Sequence, residues 1–131
     1  MTGPVQSDLI LGVRSPRRGT SASTEEVIAA LARRTLFKAY CLIEQWTIFR
    51  ADLTPEELKK VHAAQHLPLF VFAHKVVEDS RGRFQPGDWV RSSMCTSFDD
   101  DVMFETRNTV YVLIGPGHEQ TASLKTIFSF F

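Results

Sequence analysis

Tyr40-Cys41-Leu42-Ile43-Glu44-Gln45-Trp46-Thr47-Ile48-Phe49 is the stretch that decides the fold. β-branched and aromatic residues dominate it, and apolar side chains fall on both faces, as in a strand buried on both sides at the centre of a sheet. Helix signals flank it. Upstream, Ser23-Thr24-Glu25-Glu26 matches a capping box, in which a hydroxyl and a carboxylate reciprocally satisfy two orphan backbone donors. Val27, Ile28, Leu31 and Thr35 then recur at helical spacing, with Glu25, Ala29, Ala32 and Arg33 on the other side. Arg33, Arg34 and Lys38 are expected late in this helix, where cations complement the dipole. Downstream, Thr54-Pro55-Glu56-Glu57 is a second capping box with proline at the first helical position. That helix must end before Pro68, because the residue ahead of a proline is pushed out of helical space.

From Leu69 the character turns to β. Phe70, Phe72 and Val76 lie in a predicted strand over Leu69–Glu78, and Asp79-Ser80-Arg81-Gly82 has the composition of a hairpin turn. A further strand is expected from Phe84, broken at Pro86-Gly87 and resuming from Trp89 to Phe98. Asp99-Asp100-Asp101 reads as a solvated turn before a strand over 102–114, which Gly115-Pro116-Gly117 stops. Thr121 to Phe131 forms either a last strand or a helical turn docked on the sheet. The order predicts a single α+β domain over residues 21–131, with helices on one face of a mostly antiparallel β-meander. Residues 1–20, punctuated by glycine and proline, are expected to be a weakly ordered basic arm, with Leu9–Val13 its one short edge strand.

Bulk properties agree with one globular domain. The chain has 131 residues, 44% hydrophobic and 23% charged, enough to bury roughly two-thirds of its unfolded surface without a metal or disulfide staple. No apolar run reaches the ~18 residues of a membrane span, and the N-terminal arginines follow rather than precede the short apolar stretch, unlike a secretory signal. Cys41 and Cys95 are too few for a disulfide framework and read as reduced thiols, so a soluble cytoplasmic protein is expected. Residues 1–50 carry seven Lys/Arg against four Asp/Glu, net +3, and residues 51–131 carry eight against eleven, net −3. That asymmetry is too small for a dedicated nucleic-acid binder or for an acidic DNA mimic.

No catalytic constellation emerges. His62 and His66 share a helical face at i and i+4, but Ala63 stands where a zinc protease carries its glutamate, and the third ligand would have to be His74 or Cys95. A solvated helix face explains the pair better, and no metal or other cofactor is expected. Cys95 with His74 or His118 lacks any sequence sign of a nucleophile and its base. Gly115-Pro116-Gly117-His118 lacks phosphate-loop spacing, and Pro116 removes a backbone donor. Arg107-Asn108-Thr109 interrupts an apolar strand, with Arg107 and Thr109 expected to face outward. Phe84, Pro86, Trp89, Phe128 and Phe130 cluster around predicted turns and the C-terminus, and most of them are expected in the core, whereas Trp89 and the terminal Phe130-Phe131, where exposed, would be anchors for a protein partner.

The segments Gly87-Asp88-Trp89-Val90-Arg91-Ser92-Ser93 and Phe104-Glu105-Thr106-Arg107-Asn108-Thr109-Val110-Tyr111-Val112-Leu113-Ile114-Gly115-Pro116-Gly117 carry a family resemblance. Over about residues 69–131 the chain resembles an uncharacterised family of short proteobacterial proteins associated with phage and other mobile elements. The resemblance implies a context and no known activity. The expectation is therefore a non-enzymatic protein-binding module, such as an inhibitor or accessory factor acting on a host complex, with a surface of Trp89, Arg91, Arg107, Asn108 and Tyr111 on adjacent strands. The alternative is nucleic-acid association through Arg14, Arg17, Arg18, Arg33, Arg34 and Lys38, whose phosphate contacts would weaken steeply with salt. A small enzyme using His62, His66 or Cys95 is the third reading.

Overall fold

The computed structural model describes residues 14–33, 38–99 and 101–129. In chain order it contains β1 (Arg14–Arg17), α1 (Thr24–Ala32), β2 (Ala39–Ala51), α2 (Pro55–Ala63), β3 (Leu69–Asp79), β4 (Val90–Arg91), β5 (Ser97–Asp99), β6 (Met103–Glu105), β7 (Thr109–Leu113), β8 (Gly117–Ala122) and α3 (Leu124–Ile127). Both capping boxes form as the sequence dictates. Ser23 accepts from the Glu26 amide and Thr54 from the Glu57 amide, and each glutamate returns a bond to the cap.

The stretch quoted at the outset lies within β2, the organising strand of the sheet. One edge of β2 pairs antiparallel with β3 from Cys41 to Arg50. Its other edge is shared: Ala39–Ile43 pairs with β7 and Thr47–Ala51 with β8, both parallel. β7 and β8 are thus successive halves of one run beside β2, interrupted at residues 114–116. From β7 the sheet continues antiparallel through β6 to β5, β8 carries β1, and β4 extends the sheet beyond β3. The sheet is mixed, which corrects the expected antiparallel meander. After β3 the chain completes β4, β5 and β6 before returning along the opposite edge of β2, so it arrives running in the same direction.

The sheet curls around an interior cluster that includes Cys41, Ile43, Trp46, Ile48, Val71, Cys95, Phe104, Tyr111 and Leu113. Alternate residues supply the outer face. There Val27 and Leu31 of α1 cover Leu42, Val110 and Val112, while Ile127 of α3 packs with Phe49, Ala51, Phe70 and Ala122. These two helices therefore cover one face. By contrast α2 buries none of its residues.

Local boundaries differ where long-range pairing overrides composition. α1 stops at Ala32 with Arg33 as its C-cap, and Lys38 precedes β2 instead of ending the helix. Its ammonium donates to the Thr106 carbonyl at 2.9 Å, which ties it to the sheet. Between Phe84 and Phe98 only Val90–Arg91 and Ser97–Asp99 are strands. The expected strand over 102–114 is split, because both the amide and the hydroxyl of Thr106 bond to the Thr109 carbonyl and close a turn with Arg107-Asn108 at its tip. Thr109 consequently faces inward and is buried. Residues 14–20 join the sheet, through β1 and through Thr20 bridged to Ile114, where a weakly ordered arm was expected. The expected Leu9–Val13 strand lies outside the described residues.

Candidate functional site

Among the described residues two large hydrophobic side chains are exposed, Trp89 at 49% and Phe128 at 43%. They belong to one surface. The Trp89 indole stacks on Phe72 with centroids 5.9 Å apart, and Phe72 meets the His74 ring edge-on at 5.0 Å. Phe128 packs edge-on against Phe70 at 5.3 Å, and the Arg91 guanidinium lies 4.7 Å from the Phe128 ring centroid. Strand geometry makes the patch contiguous: Phe70, Phe72 and His74 alternate along the outer face of β3, and Arg91 is the cross-strand partner of Phe72. Arg91, Ser92, Ser93 and Met94 with Phe70 and Phe128 enclose an open hollow of about 360 Å³. Burial lowers the pKa of Arg91 below the usual arginine value, with Tyr111 opposing the shift.

The five expected partner-binding residues do not form one surface. Trp89 and Arg91 sit on the aromatic face just described. Arg107 and Asn108 are exposed at the β6–β7 turn, a different part of the molecule. Tyr111 points into the interior cluster and is 5% exposed, so it cannot make a surface contact. β4 and β7 are not neighbours in the sheet, which is why strand adjacency failed as an argument. Phe72 completes the patch instead, and Phe70, itself buried, packs against Phe128. The alternation of both along β3 was legible, but not which part of the outer face α1 and α3 leave uncovered.

The basic set fares similarly. Arg17 is engaged by Glu119 at 2.8 Å and Asp101 at 3.3 Å, and Glu119 also pairs with Arg50 at 3.3 Å. Burial opposes the charge on Arg17, but these carboxylates outweigh it and raise its pKa. Lys38 pairs with Glu105 at 3.2 Å. Arg14, Arg18 and Arg33 are exposed, and Arg34 lies outside the described residues. Carboxylates therefore neutralise part of the expected phosphate-binding stripe.

The reactive candidates are held apart. Cys95 is buried in the interior cluster, where its thiol donates to the Ser97 carbonyl at 3.3 Å, and burial pushes its pKa up to about 12. His74 stands exposed on the opposite face of β3. His62 is exposed, and the Nδ1 of His66 bonds to the Ala64 carbonyl at 2.9 Å. Among the described residues no group of three His, Cys, Asp or Glu side chains could hold a metal ion.

One network escaped the sequence reading. Asp79, its side chain fully buried, receives Arg83 Nη2 at 2.6 Å, Nε at 3.1 Å and the Arg83 backbone amide at 2.7 Å. Arg83 Nη1 reaches the Thr109 hydroxyl at 2.8 Å, so the pair fastens the β3–β4 loop to β7. Burial alone would raise the Asp79 carboxyl, but the hydrogen bonds and charge of Arg83 hold it below its ordinary value. The Asp-to-Arg spacing of four residues was visible, but a turn composition gave no hint that the carboxylate is buried.

No helix among the described residues is long and apolar enough to cross a membrane. The chain belongs to the family described as Domain of unknown function (DUF6957), which matches residues 18–129. No curated protein matches the chain, and neither does any solved structure.

Proposed function

We propose that this domain is a non-enzymatic protein-binding module whose partner docks on the aromatic face of β3 and β4. The observation that carries the reading is the joining of the exposed Trp89 and Phe128 into one surface through Phe72 and Arg91, with buried Phe70 packed against Phe128. Tryptophan and arginine are the side chains that most often dominate binding energy at protein interfaces, and a guanidinium over a ring supplies both charge and contact area. Rigidity adds to this, because rings seated on a β-sheet lose little conformational freedom on binding. The resemblance of the Thr106–Gly117 segment to phage and mobile-element proteins supports a role as an inhibitor or accessory factor acting on a host complex.

The test is affinity purification of the tagged protein from its native host, with and without nuclease, read by mass spectrometry beside a Trp89→Ala, Phe128→Ala double variant. A stoichiometric protein that survives nuclease and is lost with the double variant supports the reading. A partner retained by the double variant removes this surface. Nucleic acid in the wild-type eluate, or a partner lost on nuclease treatment, moves the function to the basic residues.

A further inference from the structure

A second open cleft, of about 710 Å³, shares no lining residue with the aromatic hollow and is lined by Lys38, Ala64, Gln65, His66, Thr96 and Arg107. Four separate parts of the chain build it: the approach to β2, the exit of α2, the segment before β5 and the tip of the β6–β7 turn. Its size lies within the ordinary range of small-ligand sites, roughly 300–1,000 Å³. Among the described residues its lining is polar and cationic, with Ala64 the one apolar side chain and the His66 imidazole the one ring.

The donors are arranged unequally. Arg107 makes no ion pair among the described residues and is exposed at the turn tip. The Lys38 ammonium is fixed by the Thr106 carbonyl at 2.9 Å and Glu105 at 3.2 Å, which uses two of its three N–H groups. Because a carbonyl can only accept, the 2.9 Å contact to Ala64 places a proton on His66 Nδ1 and leaves Nε2 for a ligand. Thr96 donates its hydroxyl proton to the Glu105 carbonyl at 3.1 Å, so toward a ligand it can only accept. Gln65, held at φ 61°, contributes an amide that can donate or accept. Among the described residues the Glu105 carboxylate offsets Lys38, so the uncompensated positive charge of the cleft is that of Arg107.

We infer that this cleft binds a small phosphate ester, with Arg107 forking two phosphate oxygens and Lys38 supplying a point charge. A guanidinium matches phosphate bidentately, and the already fixed ammonium loses little freedom on engaging the ligand. Gln65 and Thr96 offer the mixed donor and acceptor that a hydroxylated carbon chain requires. Among the described lining residues no Phe, Tyr or Trp offers a base a stacking platform, and the His66 imidazole is the one ring present.

The experiment is an NMR titration of the full chain with inorganic phosphate, glycerol 3-phosphate and adenosine monophosphate, each against sodium chloride of equal ionic strength. Glycerol 3-phosphate should give saturable shifts at the Gln65, Thr96 and Arg107 amides. Arg107→Ala should weaken it by about tenfold or more, as expected for losing charge-assisted hydrogen bonds. Arg33→Ala, at the end of α1 and outside the cleft, should change nothing. Equal binding of inorganic phosphate would assign the site to the phosphoryl group alone, and tighter binding of adenosine monophosphate would overturn the choice of a small ester. Shifts that sodium chloride reproduces, that persist in Arg107→Ala, or that fail to saturate by about 10 mM, far above ordinary small-ligand constants, would overturn the site itself.

Discussion

The indole of Trp46 occupies the volume that a side chain at Gly117 would need, while its Nε1 donates to the Gly115 carbonyl at 3.1 Å. Trp46 thus fills the gap where β2 passes from pairing with β7 to pairing with β8, and it is 1% exposed. Gly19 approaches the same junction, where an added Cβ would meet the Gly115 and Leu113 carbonyls and the indole.

Gly117→Ala should destabilise by about 1–3 kcal/mol, the range for forcing a methyl group into a well-packed core. Gly115→Ala tests a different mechanism, because nothing lies near its added methyl and the cost is the strain of φ 71°, about 1 kcal/mol. Urea unfolding of both variants separates the effects. A Gly117→Ala protein as stable as the wild type would mean that the indole moves aside freely and does not hold the junction.

Arg83→Ala should cost about 3 kcal/mol, the low end for breaking a buried ion pair, because Arg83 keeps a third of its side chain in solvent while Asp79 keeps none. The folded-state pKa of Asp79 is lowered, so its contribution is present above the unfolded carboxylate value and is lost as pH falls through the lowered folded value. Asp79→Asn should therefore flatten the acid limb of the stability curve. An unchanged acid limb in that variant would show that other carboxylates govern acid unfolding.

Cys41 and Cys95 have their pKa values pushed up to about 12, chiefly by burial. In the folded protein both thiols should resist a disulfide-exchange reagent at pH 8 and react only at the rate of unfolding, because the thiolate is the nucleophile. Tyr111 is likewise raised to about 12 by burial. Unfolding lets these groups release protons near their ordinary values, so stability should fall as pH rises above about 9. Rapid labelling of either thiol without denaturant would contradict this burial.

The contrast between the legible and the illegible follows from the range of the interactions. Ser23 and Thr54 start helices through contacts three residues away, so the string itself carries the signal. The composition of Tyr40–Phe49 likewise foretells a strand buried on both faces. Parallel pairing of Tyr40 with Val110 depends on where the chain returns after β6, which no local pattern encodes. The site residues divide in the same way. Trp89 announces itself by type, but its joining to Phe128 depends on α3 docking beside Phe70. Arg107 read as an oddity within a strand, because the bond that makes it a turn tip closes through Thr106.

The two tryptophans make the aromatic face directly measurable. Trp46 is sealed inside the junction and Trp89 is half exposed, so iodide should quench one emission component and leave the other nearly untouched. Trp89→Phe should abolish the quenchable component and keep a ring over Phe72, with a stability loss of about 1 kcal/mol or less from the reduced stacking. If a captured partner docks on this face, adding it should protect Trp89 from iodide and leave Trp46 unchanged. Full quenching of Trp89 in the presence of a saturating partner would place the interface elsewhere. Loss of Trp46 shielding in Trp89→Phe would instead show that the face and the junction are mechanically coupled.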